Sequence, residues 1–484
     1  MLSIFAAPLG AMLLFLSLLE APIENPWKAR VEPALAQVER NPSPSACRKA
    51  LETAYRADDW AAAERVAKMA LSKHANNQDL LPLIARALWR GGNVADAEAA
   101  LAKIDPLSDD PIALSTRINI ALARGDADGA GRAAEKLAAR ESLSAADYSA
   151  LVAASFTMNR LDGLDALITR TLSAVDVSNG YPEIYLKEQF DGLADFLKTV
   201  GPAPLNQITA YGDAPMPVSS LNLPLVNAYI NGKGPYRLIV DTGGSVLLSL
   251  DRDVAKEIGL REIAKATIRG VAGTDDSMQS IADDLRIGNV RMTRVMTRVF
   301  DVGKALMYSA DGILGTGMFH AGRMTMDFER GVLILGESSE KDGPGEEMPI
   351  RIVGDGKILP LIRVNGQEMV GLLDSGADAV ALSPATLKTL YPEYETMEVA
   401  VGAMGVGSSS TPTIQVGPGV RLSLPGKEYA NIGGIGLNVL DDTLSPMLGI
   451  QADILLGMPI MRDMQTYTVD YPRCKSWVKW LAAK

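Results

Sequence analysis

At 484 residues the chain is longer than one ordinary hydrophobic core and calls for two or three domains. Its apolar fraction of 47% is that of a globular protein, and a net charge of −11 with acidic residues spread along the chain argues against a nucleic-acid binder. Two cysteines, Cys47 and Cys474, and two histidines, His74 and His320, argue against a disulfide framework, a His-based catalytic triad and a multi-His metal site.

Residues 2–19 carry no charge and are mostly Leu, Ala, Phe and Met. Residues 1–36 read as a secretory signal or an N-terminal membrane anchor, with Ala34-Leu35-Ala36 as a cleavage site. The usual basic start is missing, and the apolar length is near the lower limit for spanning a bilayer. The expectation is an exported, periplasmic or other extracytoplasmic protein, with anchoring left open. The alternative is a buried amphipathic start.

Residues 45–175 are Ala-rich and helical in pattern, and they repeat. Asp58-Asp59-Trp60-Ala61-Ala62-Ala63 corresponds to Gly92-Asn93-Val94-Ala95-Asp96-Ala97, to Gly125-Asp126-Ala127-Asp128-Gly129-Ala130 and, more weakly, to Asn159-Arg160-Leu161-Asp162-Gly163-Leu164. Ala63, Ala97, Ala130 and Leu164 are 34, 33 and 34 residues apart. A short polar or Gly turn at that period predicts helix-turn-helix units, with a small residue where the next helix packs closely. Residues 176–217, mixing Pro, Gly and aromatic residues around a helix-like stretch at Glu188 to Thr199, read as a junction. Beyond it short β-type runs alternate with Gly, Asn and Asp, giving one lobe over 218–340 and a second over 345–484. The polar segment Glu337 to Pro349 joins them.

The two β lobes carry the same series of features. Leu223-Pro224-Leu225-Val226, Asn231-Gly232 and an apolar run lead to Asp241-Thr242-Gly243. Leu359-Pro360-Leu361-Ile362, Asn365-Gly366 and an apolar run lead to Asp374-Ser375-Gly376. Asn-Gly between apolar runs marks a hairpin, so each lobe begins with a hairpin whose second strand ends in the Asp. Downstream come Asp311-Gly312-Ile313-Leu314-Gly315 and Asp453-Ile454-Leu455-Leu456-Gly457. Then Asp327-Phe328-Glu329-Arg330 and Asp470-Tyr471-Pro472-Arg473 each sit at a hairpin near the end of a lobe. Either triplet alone is an ordinary turn. Four matched features in one order indicate an internal duplication.

On these motifs residues 218–484 resemble the aspartic protease fold, retroviral-type and pepsin-like, with two lobes in one chain. The period of residues 45–175 is similar to that of tetratricopeptide repeats, although several consensus aromatics are absent. The resemblance implies a multidomain chain: an all-α helical repeat domain followed by a mainly-β bilobal protease domain. It implies that Asp241 and Asp374 are the catalytic carboxylates. Thr242 and Ser375 would join the two loops, Gly243 and Gly376 would complete the turns, and Gly315 and Gly457 would sit behind them. Gly-rich loops would close over a substrate at Val271, Ala272 and Gly273 and at Met404 and Gly405. Asp378 resembles a residue that binds substrate backbone, and a surface role is its alternative.

Two carboxylates that share a proton activate water without a covalent intermediate and need no metal or organic cofactor. The reading is therefore an aspartic endopeptidase acting on a peptide or protein. The helical repeats would serve recruitment of a substrate or protein partner, or only pack against the lobes. The rival readings are an inactive peptide-binding protein of the same fold and a repeat scaffold. Gly244 and Ala377, after the two triplets, carry no hydroxyl that could bond a carboxylate, so the working pH is expected to be weakly acidic to neutral, with Ser245 as an alternative donor. Arg286, Arg291, Arg294 and Arg298 read as a solvated face or an acidic-residue subsite. Met292, Met296, Met307, Met318, Met324 and Met326 read as core or pocket lining.

Overall fold

The computed structural model describes residues 25–482 apart from 177–185, 188–189, 191, 220–221, 245–246, 271–272, 303–309, 355, 396 and 401–412. Residues 1–24, the greater part of the segment read as a signal or anchor, therefore lie outside the described residues. Helices fill the N-terminal part: α1 (Lys28–Arg40), α2 (Pro44–Ala57), α3 (Trp60–Lys73), α4 (Leu81–Arg90), α5 (Val94–Ala102), α6 (Pro111–Ala123), α7 (Ala127–Ala138), α8 (Ala145–Thr157) and α9 (Leu164–Ala174), with a further helix at Leu193–Val200. Ala34-Leu35-Ala36 falls inside α1, where Ala34 and Leu35 are buried. Among the described residues no helix is long and apolar enough to cross a membrane.

The repeat turns have one shared backbone device. Asp58, Gly92, Gly125 and Asn159, which follow α2, α4, α6 and α8, all have positive φ (56°, 82°, 74° and 52°). This left-handed residue stops a helix and turns the chain, and it suits Gly, Asn and Asp. The next helix is then capped: Asp59 accepts from the Ala62 amide and Asp126 from that of Gly129. Ala63, Ala97, Ala130 and Leu164, the positions matched by period, are all buried.

Two eight-stranded sheets form the lobes. In the first, Lys233–Asp241 lies between Leu225–Ile230 and Gly312–Gly315. In the second, Gln367–Leu373 lies between Lys357–Val364 and Ile454–Leu456. The expected hairpins are present in both. A six-stranded sheet draws on both lobes: Glu346–Met348, Lys475–Trp480, Met464–Asp470, Gly322–Asp327, Val332–Glu337 and Gly212–Pro215, in that order. The first strands, Gln207–Ala210 and Gly212–Pro215, lie within the stretch read as a junction. Arg294 is not simply a solvated charge, because its guanidinium donates to the carbonyls of Val200, Ala203 and Pro204 and ties that stretch down. Met292, Met296, Met318, Met324 and Met326 are buried in the core; Met307 lies outside the described residues.

The helices are not a detachable arm. Leu51, Val66, Leu88 and Trp89 share one buried apolar cluster with Leu359, Val370, Leu372, Ile450 and Leu455 of the second lobe. Phe196 and Leu197 join Leu247, Ala264 and Met296 of the first. Polar contacts add to this: the Gln451 amide donates to the Arg90 carbonyl (2.7 Å), and Arg351 pairs with Glu98 (3.2 Å). Cys47 and Cys474 are free thiols, and Cys474 contacts the Ala123 carbonyl (2.9 Å). Leu88→Ala is therefore expected to cost about 2–5 kcal/mol and to lower the unfolding midpoint of helices and β lobes together. Urea unfolding followed in parallel by far-UV circular dichroism and tryptophan fluorescence checks this; two separated transitions would contradict it.

Candidate active site

Each Asp-bearing strand runs parallel to a short strand that ends in glycine or leads into one. Val240 pairs with Leu314 and Asp241 with Gly315; Leu372 pairs with Leu455 and Leu373 with Leu456. Asp311 and Asp453, which open the downstream motifs, anchor these strands in the same way. The Arg237 amide donates to the Asp311 carboxylate (2.7 Å), and the Val370 amide to that of Asp453 (2.8 Å). The Asp311 and Asp453 amides donate back to the carbonyls of Arg237 and Val370 (both 2.8 Å). Burial pushes Asp453 up to about 6.

Beyond the strands the two triplets meet. The Thr242 amide donates to Ser375 Oγ (3.0 Å), and the Ser375 amide donates to Thr242 Oγ1 (2.9 Å). The Thr242 hydroxyl donates to the Leu373 carbonyl (2.8 Å), and the Ser375 hydroxyl to the Val240 carbonyl (2.7 Å). Both side chains are fully buried. The glycines of the triplets face the opposite carboxylates. A Cβ at Gly243 would come within 2.5 Å of the Asp374 carboxyl carbon, and one at Gly376 within 2.7 Å of that of Asp241. A Cβ at Gly457 would collide with the carbonyls of Ala377 and Ala379. Gly315 is buried and its amide approaches the Leu247 carbonyl at 3.3 Å.

Asp241 and Asp374 hydrogen-bond to each other. The Gly243 amide also donates to Asp241 Oδ1, and the Gly376 amide to Asp374 Oδ1 (both 2.9 Å). Burial raises Asp241 above the usual carboxylate range, opposed by the Asp374 bond, the Gly243 and Gly244 amides and the Lys357 charge. Burial raises Asp374 well above that range, and the charge of Asp241 and the bond to it add to the rise. The Gly376 amide and Lys357 oppose it. Both carboxyls are thus held above the usual range, and the pair shares a proton that neither site gives up easily. The side-chain hydroxyl missing at Gly244 is replaced in part by that residue's own amide; Ser245 lies outside the described residues.

Lys357 escaped the sequence reading. It is 7% exposed, at the start of Lys357–Val364. The pairing of Leu361 with Val370, carried along the strands, would set Lys357 across from Asp374. A charge heading the apolar run Ile358-Leu359-Pro360-Leu361-Ile362 was the available signal. Asp378 is exposed, takes a hydrogen bond from Asn222 (3.0 Å) and lies 3.6 Å from Arg462. Gly273 pairs with Gly270 at the end of a long hairpin, Ala264–Gly270 with Gly273–Ile287, whose tip residues Val271 and Ala272 are outside the described residues. Met404 and Gly405 are also outside them, between the paired strands Met397–Ala400 and Thr413–Leu424. Among the described residues no group of three or more His, Cys, Asp or Glu could hold a metal.

Two matched lobes, each delivering an Asp-Thr/Ser-Gly loop to a common junction, decide the architecture. This is the aspartic protease fold. Residues 226–318 and 361–460 match the aspartyl protease family, one segment from each protease lobe. The crystal structure of a retropepsin-like aspartic protease from Rickettsia conorii is similar at 18% identity over 27% of this chain and 94% of that chain, with a TM-score of 0.21. No curated protein matches the chain.

Two outcomes are expected for the protease lobes. Thr242→Val leaves the buried Ser375 amide without its acceptor and should cost about 1–3 kcal/mol in urea unfolding, whereas Thr242→Ser should cost little. Lys357→Met removes a charge that favours both ionised carboxylates, so the pair should titrate at higher pH. NMR titration of the aspartate carboxyl carbons checks this; an unchanged or lowered titration would contradict it.

Proposed function

We propose that the chain is an aspartic endopeptidase in which Asp241 and Asp374 activate water against a peptide bond. The observation that carries this reading is the pair of mutually hydrogen-bonded carboxylates, one from each lobe, set unequally by their surroundings. Water held between them would lose a proton to ionised Asp241 and attack the substrate carbonyl. Protonated Asp374 would hydrogen-bond the carbonyl oxygen as negative charge develops on it. The proton taken up by Asp241 would then pass to the leaving nitrogen as the C–N bond breaks, which restores the singly protonated pair, and no bond to the enzyme forms. Thr242, Ser375 and the triplet glycines would keep the carboxylates together, Gly315 and Gly457 would support the loops, and the two hairpins and Asp378 would contact substrate.

The helical part is read as a tetratricopeptide-like array that recruits a substrate or protein partner. Its common core with the second lobe favours a fixed spatial relation between recruitment and cleavage. The uncharged residues 2–19 support export to a periplasmic or other extracytoplasmic space, either after cleavage or with the segment kept as an anchor.

A peptide-library cleavage assay with the purified full chain tests the reading. Asp241→Asn and Asp374→Asn should each reduce kcat/KM by about 10²–10⁴-fold while remaining folded. Mixing the two variants should not restore activity, because both carboxylates come from one chain. Substantial activity in either folded variant would overturn the assignment, and recovery on mixing would show that the site is built between chains. An inert wild-type chain that still binds peptides would favour the non-catalytic alternative.

A further inference from the structure

Three parts of the molecule meet at the half-buried Asp453. The Val370 amide, on the strand leading to Asp374, donates to its Oδ2 (2.8 Å). The Thr386 hydroxyl, on the helix Pro384–Leu390, donates to its Oδ1 (2.8 Å). The third part is the turn between α4 and α5. A Cβ on Gly92 would lie 3.4 Å from the Val370 side chain, 3.4 Å from the Gln451 carbonyl and 3.7 Å from Asp453 Oδ2. The Gln451 amide in turn donates to the Arg90 carbonyl (2.7 Å). The helical array therefore sits directly on the clamp that holds the Asp374 strand.

The duplicated frame does not extend to the charges around this clamp. In the first lobe the matching Asp311 has the Arg237 guanidinium at 3.8 Å. Among the described residues no Lys or Arg forms an ion pair with Asp453, and the charges acting on it are two carboxylates, Glu64 and Asp441. Glu64, on α3, flanks the same turn, with Oε2 3.5 Å from a Cβ placed on Gly91. Asp441 is fixed by the Gln451 side-chain amide (2.8 Å) and the Ala385 backbone amide (2.9 Å). The cations of the surrounding elements are engaged elsewhere. Arg90 lies 3.7 Å from Asp58, Lys68 pairs with Glu64, Lys388 donates to the Pro392 carbonyl (2.8 Å), and Arg363 pairs with Glu368 (3.1 Å). Burial opposes the Asp453 charge most, the Val370 and Thr386 bonds favour it, and Glu64 and Asp441 oppose it, a balance that falls at about 6.

The two protonation states hold the strand differently. As a carboxylate, Asp453 gives the Val370 amide a charge-assisted bond, roughly twice as strong as a neutral one. It also takes the Thr386 hydroxyl as a donor. With a proton on Oδ1 the acid itself becomes the donor to Thr386 Oγ1, which already accepts from the Ser383 hydroxyl (2.9 Å), so this small network must reverse. The Val370 amide is then left with a neutral carbonyl oxygen. Val370 lies four residues before Asp374, and the strand between them pairs with the one that follows Asp453, Leu372 with Leu455 and Leu373 with Leu456. We propose that Asp453 is a positioning residue for Asp374, holding its strand firmly when ionised and loosely when protonated, with the helical array governing which form prevails. The effect on the strand stands without catalysis; an effect on rate rests on the endopeptidase reading.

Proton–nitrogen correlation NMR of the full chain, followed from weak acid to neutrality, tests the proposal. The Val370 amide signal is expected to shift with a midpoint near pH 6. Asp453→Asn keeps the shape but cannot ionise, and should remove that step. Glu64→Gln takes away a charge that opposes ionisation, so it should keep the step and move its midpoint to lower pH; it carries the test if Asp453→Asn does not fold. In a peptide cleavage assay, kcat of the wild type should rise with pH through the same midpoint while KM changes little, and Asp453→Asn should lack that rise. A Val370 amide that does not move near pH 6, a step that survives in folded Asp453→Asn, or a midpoint left unmoved or raised by Glu64→Gln would each overturn the proposal. So would identical kcat profiles in the wild type and folded Asp453→Asn. A chain that shows the Val370 step, loses it in Asp453→Asn and cleaves nothing would sustain the link between array and strand and sink the endopeptidase reading.

Discussion

The closed set of hydrogen bonds between Thr242 and Ser375 is the constraint from which the site follows. Each hydroxyl accepts from the opposite loop's amide and donates to the opposite strand's carbonyl. With both groups fully buried, breaking one bond leaves polar atoms with no water to replace it. The loops therefore cannot drift apart, and the residues on either side of them must accept close quarters. Gly243 and Gly376 are the result, since a side chain at either would occupy the space of the opposing carboxyl group.

That closeness is electrostatically unfavourable for two acids. Burial and mutual repulsion both resist full ionisation, and the pair resolves the conflict by sharing one proton. The lobes are alike in backbone but not in charge environment. Asp241 receives amide bonds from Gly243 and Gly244, while Asp374 receives one from Gly376. Lys357 belongs to the second lobe and draws both acids back towards ionisation. A duplicated frame thus carries two carboxylates in different surroundings.

Much of this was legible in the sequence because its signals were local. Asn231-Gly232 and Asn365-Gly366 mark real hairpin turns, with Asn231 and Asn365 at positive φ (both 49°). The helical period reflects one left-handed residue per unit, from Asp58 to Asn159. Features set by distant partners were not legible. Lys357 could be spotted as a charge in an apolar run, but its relation to the aspartates depends on strand register. The anchoring roles of Asp311 and Asp453 depend on strands far away in the chain. The strands Gln207–Ala210 and Gly212–Pro215 are short and polar, and are strands because Val290–Phe300 and Val332–Glu337 pair with them.

The sheet drawn from both lobes has a mechanical meaning. At its centre Gly322–Asp327 of one lobe pairs with Met464–Asp470 of the other, from Arg323 opposite Asp470 to Asp327 opposite Thr466. The buried Asp470 carboxylate, held by Arg323 and Ser338, locks one end of the ladder. Prising the lobes apart would mean unzipping main-chain bonds inside the protein. The span between the halves is therefore fixed when the chain folds, and any peptide bound between them would have to suit that fixed span instead of wedging open a hinge.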